Sequence, residues 1–169
     1  HALWNFEVMS IVQRIQKLFL QDQAALLVEF AVDLFFYGFT QSRNVLHSEG
    51  LGKGFVDLGI RQFTYRTENA GGAMADGFAR MANHAAVVLA QNGPAATLLV
   101  PGLAEALKAS IPVLALVQDV ARDSSERNAF QELDHIALFA GVTKWVKRVD
   151  HLSRLQDYVD MAFTAAWSA

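Results

Sequence analysis

The chain contains no cysteine, which excludes disulfides and thiolate metal sites and leaves its redox compartment open. It has no apolar run approaching the roughly 18 residues that a membrane span needs. Its lysines and arginines are scattered, so neither a membrane nor a nucleic-acid partner is expected. The histidines His1, His47, His84, His135 and His151 show no metal-ligand spacing, and no carboxylate joins two of them in a cluster. They read as surface or capping residues, and no metal ligands are expected in this chain. Ser124-Ser125 lacks the flanking glycines of a nucleophile elbow, which removes a hydrolase triad. The opening HALWNFEVMS has no basic start, apolar stretch or small-residue cleavage site, so the cytoplasm is the expected compartment.

What is present is a rather apolar, globular mixture of 169 residues, 53% hydrophobic and 18% charged with a formal net charge of -3. That is the size of one domain able to bury a core. His1 rather than methionine opens the sequence, and residues 1–23 are read as an N-terminal extension or helix that can include residues of cloning origin. Ile11, Ile15, Leu18 and Phe19 fall at helical spacing, and an apolar pattern resumes over Ala24 to Ala31, as one long helix or two. Leu34 to Phe39 suits a buried strand, and Val45 to Asp57 a modest helix with glycine interruptions. Ala85 to Gln91 reads as a continuous apolar strand, Ala95 to Leu107 as a helix with Leu98, Leu99, Leu103 and Leu107 on one side, and Ile111 to Val117 as another strand. Strand, helix and strand in this order make a βαβ unit. Lys144 to Val149 alternates like an edge strand, and Leu152, Leu155, Val159, Ala162, Phe163 and Ala166 mark a docked amphipathic helix. The expected fold is α/β: one doubly wound domain over residues 24–169, its sheet mostly parallel with helices on both faces.

The most informative stretch is QFTYRTENAGGAMADGFAR, residues 62–80. Phe63 and Tyr65 alternate with polar neighbours as in a strand end, Glu68 sits at the joint, and Asn69 is the expected N-cap. Ala70, Met74, Phe78 and Met81 recur at helical spacing, so the segment is an amphipathic helix with that stripe as its apolar side. Gly71, Gly72, Ala73, Ala75, Gly77 and Ala79 dilute it with small side chains. Each glycine costs about 1 kcal/mol relative to alanine, so such a run implies close approach of a partner helix or a flat ligand. By itself Glu68 could equally be a cap or half of an ion pair. Asn92-Gly93-Pro94-Ala95-Ala96-Thr97 lies between a strand and a helix, where glycine turns often cradle phosphate. It lacks both the Walker lysine and the three-glycine dinucleotide fingerprint, which leaves either a ligand-facing turn or one that merely starts a helix.

These residues resemble the pyrimidine-binding (PYR) domain of thiamine-diphosphate enzymes, in the branch that contains acetolactate synthase. Arg66-Thr67-Glu68 followed by Ala73-Met74-Ala75-Asp76-Gly77-Phe78-Ala79-Arg80 departs from the family's pattern only in the threonine, which replaces a histidine. Gly102-Leu103-Ala104-Glu105-Ala106, Ser110-Ile111-Pro112-Val113-Leu114 and Asn128-Ala129-Phe130-Gln131-Glu132 continue the likeness, which covers roughly Ala24 to Val149. In the turn at Asn92 the family has serine for Asn92, a second glycine for Ala95 and asparagine for Leu98. Gln118-Asp119-Val120 stands where it has glycine-glutamine-valine. The loop after the first strand keeps Gly38 and lacks the family's proline and second glycine.

The resemblance implies that Glu68 hydrogen-bonds the pyrimidine nitrogen N1′ of thiamine diphosphate and so activates it to attack a 2-keto acid, in a decarboxylase or carboligase. It implies that Gly38, Asn92, Gly93 and Pro94 lie against the cofactor and Phe130 and Gln131 on the substrate side. Without that context, Phe130 would read as a core aromatic and Gln131 as a surface amide. In this family the diphosphate and its magnesium are held by another domain, through a glycine-aspartate-glycine motif and paired asparagines. Neither Gly-Asp-Gly nor Asn-Asn occurs here. The expected partners are therefore a diphosphate-binding domain of the same or another chain and a second copy in a homodimer, with the chain inactive alone. A fragment of a longer enzyme is favoured over a stand-alone subunit of a two-chain decarboxylase, because the family usually proceeds to a further strand where this sequence stops. A non-catalytic dimerisation or binding module on the same fold is the alternative from a different class, since a small-residue helix suits a homodimer seam as well as a cofactor wall.

Overall fold

The computed structural model describes residues 27–30 and 60–168. Four strands, β1 (Leu27–Phe30), β2 (Gln62–Tyr65), β3 (Ala86–Ala90) and β4 (Val113–Val117), form one sheet in the order β2-β1-β3-β4. Every pairing is parallel, with Leu27 opposite both Gln62 and Val87, and Ala86 opposite Val113. The helices are α1 (Glu68–Ala82), α2 (Pro94–Leu98), α3 (Val100–Ala109), α4 (His135–Phe139) and α5 (Leu155–Trp167), with 3-10 turns at Arg122–Ser124 and Leu152–Arg154. This is the expected α/β architecture with a parallel sheet. Ala86, Val88 and Ala90 of β3 join the main core cluster. Val87, 1% exposed, points to the other face by strand alternation, so β3 is covered on both sides.

The apolar residues at 27–30 form a strand, not the continuation of a helix. A short apolar run carries no periodicity that separates a buried strand from a buried helix, and here the ladders on both sides decide. The segments expected over 34–39 and 45–57, and Gly38 with them, lie outside the described residues.

Helix α1 buries Glu68, Gly71, Gly72, Ala75, Asp76 and Ala79. The stripe read from the sequence lies elsewhere: Met81 is 89% exposed and Met74 is exposed too. The small residues form the inner face because α1 runs close to both the sheet and α3. A Cβ placed on Gly102 of α3 would come within 2.8 Å of the Gly72 backbone, so the two helices touch backbone to backbone. Tyr65 closes the space at the end of β2, its ring against Gly71 and its hydroxyl donating to the Leu89 carbonyl. Asn83 closes α1 in the left-handed region at φ 54°, a position that asparagine tolerates.

Residues 94–109 form two helices instead of one. Pro101 has no N–H to donate to the Thr97 carbonyl and its ring crowds that oxygen. Leu99 donates one residue short, to Ala96 at 3.1 Å. The break leaves Leu99 fully buried and Leu98 exposed. Residues 144–150 make no ladder among the described residues. Instead Val146 packs against the core cluster and Trp145 tilts against Tyr158 of α5. The expected C-terminal helix is present, burying Val159 and Ala162 and packing against β4.

The helix contact makes a direct prediction. Gly102→Ala should lower the unfolding free energy by about 1–3 kcal/mol, the usual cost of overpacking. Gly77→Ala, where an added Cβ meets no described atom within 4 Å, should raise it by about 0.5–1 kcal/mol. Urea unfolding of both variants checks the pair; equal responses would refute a packed glycine crossing.

Candidate functional site

A parallel sheet puts the carboxyl ends of its strands along one edge. Here that edge carries Glu68 directly after the two-residue bend that follows β2, Asn92-Gly93 after β3, and Asp119 after β4. The chain leaves β1 toward β2 on one side and returns to β3 on the other. The carboxyl end of β1 is therefore the switch point where ligands of open α/β sheets bind, flanked by Glu68 and the Asn92 turn.

Glu68 is the first residue of α1 and 5% exposed. Thr67, not Asn69, is the N-cap: its backbone is extended (φ -142°, ψ 150°) and its hydroxyl accepts the Ala70 N–H at 3.4 Å. That cap starts the helix two residues earlier than expected and turns Glu68 inward. Burial pushes its carboxyl above the ordinary 4.5, against the opposing pull of its own backbone N–H. Among the described residues no cationic side chain pairs with it. A little over two turns along the same face, Asp76 is treated differently, with Arg80 Nε at 2.8 Å and Arg80 bridging to Glu105 on α3 at 3.1 Å.

At the end of β3, Asn92 and Gly93 are buried and Pro94 is exposed at the first position of α2. Gly93 adopts φ 63°, ψ -122°, conformational space open to glycine alone. A Cβ there would sit 2.5 Å from the Gln131 carbonyl oxygen. Asn92 Nδ2 donates to that same carbonyl at 3.2 Å, with the Phe130 carbonyl at 3.5 Å. The fold thus brings Asn92, Gly93, Phe130 and Gln131 together from positions nearly forty residues apart. Glu68 stands at the same edge, with β1 between its strand and β3.

Phe130 is 68% exposed, which overturns its reading as a core aromatic. Gln131 is half-buried with φ 60°, in a segment where Glu126 and Asn128 are also left-handed. Glu132 holds this segment by accepting the Glu126 and Ala129 N–H groups at 2.5 and 3.1 Å, bonds that keep its carboxyl below the ordinary value.

His135 corrects the sequence reading most. It is buried at the start of α4, not a surface or capping residue, and its Nε2 accepts the Gly93 N–H at 3.0 Å. Its Nδ1 lies 3.7 Å from Asp119 Oδ1, and Asp119 in turn pairs with Arg148 at 2.7 Å. Spacing among histidines carried no signal for this role, because its partner is a backbone N–H. The apolar neighbours Ile136, Leu138 and Phe139 were the available hint of burial.

Glu68 allows a test of sign. A carboxyl with a raised folded-state value releases its proton later than the unfolded chain does, so its contribution to stability is intact below pH 4.5 and lost as pH rises through the folded value. Glu68→Gln should therefore gain stability relative to the parent between pH 4 and 7. Paired denaturation curves across that range check it, and a difference that stays flat or shrinks would refute the burial of an unpaired carboxyl.

Comparison with known proteins places these observations. The family described as "Thiamine pyrophosphate enzyme, N-terminal TPP binding domain" matches residues 24–138. The chain is 32% identical to a sulfoacetaldehyde acetyltransferase of Rhodobacter capsulatus over 112 residues, 66% of this chain and 19% of that protein. It is 38% identical to an acetolactate synthase of Arthrospira platensis over 109 residues, 64% and 19% of the two chains. It is 37% identical to the acetolactate synthase isozyme 2 large subunit of Escherichia coli over 112 residues, 66% and 20%. The chain thus spans about a fifth of the length of these relatives. It belongs to the N-terminal, thiamine-pyrophosphate-binding domain family of thiamine pyrophosphate enzymes.

Proposed function

We propose that this chain is the pyrimidine-binding half of a thiamine-diphosphate-dependent 2-keto acid decarboxylase or carboligase of the acetolactate synthase kind. The observation that carries the reading is the Glu68 carboxyl: buried on the carboxyl edge of a parallel sheet, beside a switch point, and biased by burial toward its protonated form. A carboxyl in that condition fits a neutral ring nitrogen, with which it can share one proton near neutral pH. A diphosphate, which carries the same sign of charge as the ionised carboxyl, would not match it.

Bound thiamine diphosphate supplies an electron sink for breaking and making bonds next to a carbonyl carbon. In this chain Glu68 holds and shares the proton at the pyrimidine nitrogen N1′. The Asn92-Gly93-Pro94 turn offers backbone to the flat pyrimidine, and Gly38 is assigned to the same wall. Phe130 and Gln131 are assigned to the substrate side, where the exposed Phe130 ring excludes water once covered.

The diphosphate and its magnesium are assigned to a second domain, in the same polypeptide or in a partner chain. The working assembly is a homodimer in which that domain completes the site, and the chain alone is inactive.

Two measurements test the reading. In the complete enzyme, Glu68→Gln should abolish proton exchange at the thiazolium C2 of the cofactor without unfolding the protein; retained exchange would remove Glu68 from the role. Calorimetric titration of thiamine diphosphate with magnesium should give binding when this chain is mixed with a diphosphate-binding domain that completes the site, and Glu68→Ala should reduce it. Absence of binding in the mixture would leave a folded relative with a structural role.

A further inference from the structure

The turn after β3 meets the segment that leads into α4 through several contacts, and His135, the first residue of that helix, supplies one of them. Asn92 Nδ2 donates to the Gln131 carbonyl, the Gly93 Cα packs against the same carbonyl with no room for a side chain, and the Gly93 N–H donates to His135 Nε2. The last bond needs a lone pair on Nε2. An imidazole that accepts there carries its proton on Nδ1, on the side of Asp119. A protonated imidazole has no lone pair to offer, and the buried Gly93 N–H would lose its acceptor.

We propose that His135 is a positioning residue: neutral and protonated on Nδ1, it clamps the Asn92-Gly93 turn to the Gln131 segment, and protonation opens the clamp. The functional weight of the clamp rests on the pyrimidine-binding and substrate-side roles proposed for those two segments. The charged groups around the imidazole are Asp119 after β4, Asp134 at the start of α4, and Arg148. Asp119 is already engaged by Arg148 Nε at 2.7 Å and by the Val120 N–H at 2.8 Å, which limits its pull on a proton at Nδ1. Burial leads in holding the imidazole below its ordinary 6.5, Arg148 adds to it, and Asp119 and Asp134 oppose. The Phe139 ring is stacked beside the imidazole, with ring centroids 6.4 Å apart. The sign follows: the clamp is complete above pH 6.5 and weakens as pH falls toward the folded-state value.

The test uses the 169-residue chain, isotopically labelled, and needs no cofactor. Nitrogen NMR should show His135 with a bare Nε2 and a protonated Nδ1. The hydrogen-exchange protection factor of the Gly93 amide, corrected for the intrinsic pH dependence, should fall about tenfold or more as His135 titrates. His135→Gln, whose amide oxygen can accept at the Nε2 position and does not titrate, should keep Gly93 protected across the range. His135→Phe, which keeps the ring but not the acceptor, should lose protection at every pH. A Gly93 amide whose protection ignores the His135 titration, or is unchanged by His135→Phe, would overturn the clamp. Protection that tracks His135 while cofactor binding is indifferent to Glu68→Ala supports the clamp and removes only the role proposed for Glu68.

Discussion

The backbone contact between Gly72 of α1 and Gly102 of α3 is the constraint on which the rest depends. With no side chain at either position, α1 lies close to its neighbour helix and to the sheet, and the helix buries a face built from glycine and alanine. A face of ordinary apolar residues would hold the axis farther out. The first turn would then rise from the sheet edge and Glu68 would reach solvent. The closeness costs helix propensity at each glycine, and the burial of Leu99 just before α3 and of Leu103 and Ala106 within it offsets it.

That face carries two buried carboxyl groups, and the fold treats them oppositely. Asp76 is neutralised by Arg80, which is itself anchored by Glu105. One oxygen of Asp76, Oδ1, is buried without a hydrogen-bond partner among the described residues. Among the described residues Glu68 has no such cation, only a helix N-terminus and its own N–H, and burial outweighs them. Electrostatic matching makes Asp76 a structural ion. Its absence leaves Glu68 able to hold a proton, a property that a purely structural carboxyl on a helix N-terminus does not need.

The other wall of the edge is built from backbone. Gly93, the Gln131 carbonyl and the Asn92 amide meet through donors and acceptors instead of apolar packing, which sets the two segments to within hydrogen-bonding tolerance. Three left-handed residues in the 126–131 stretch and the Glu132 carboxylate keep that segment in register with the turn. Rigid backbone of this kind suits recognition of a flat ring better than flexible side chains do.

How much was legible from the residues differs element by element. The apolar runs at 86–90 and 113–117, the small-residue helix and the glycine turn were readable, because strand burial, helix periodicity and turn chemistry are local properties. The Asn69 cap, the Met74 and Met81 stripe, and the strand at 144–149 were misread. In each, a local pattern was equally satisfied by two arrangements and packing selected the other. Thr67 displaced Asn69 because the chain leaves Tyr65 extended, and the methionines lost the core because backbone contact with α3 rewards the smallest face. The sequence by itself determined the parallel α/β class, the family and the presence of Glu68 at a strand-to-helix joint, since these depend on spacing and residue type. Only the tertiary structure decided that Glu68 is buried with no cationic side chain paired to it among the described residues and that His135 accepts the Gly93 N–H, because burial and hydrogen bonding between distant segments arise only once the strand ends are gathered on one edge.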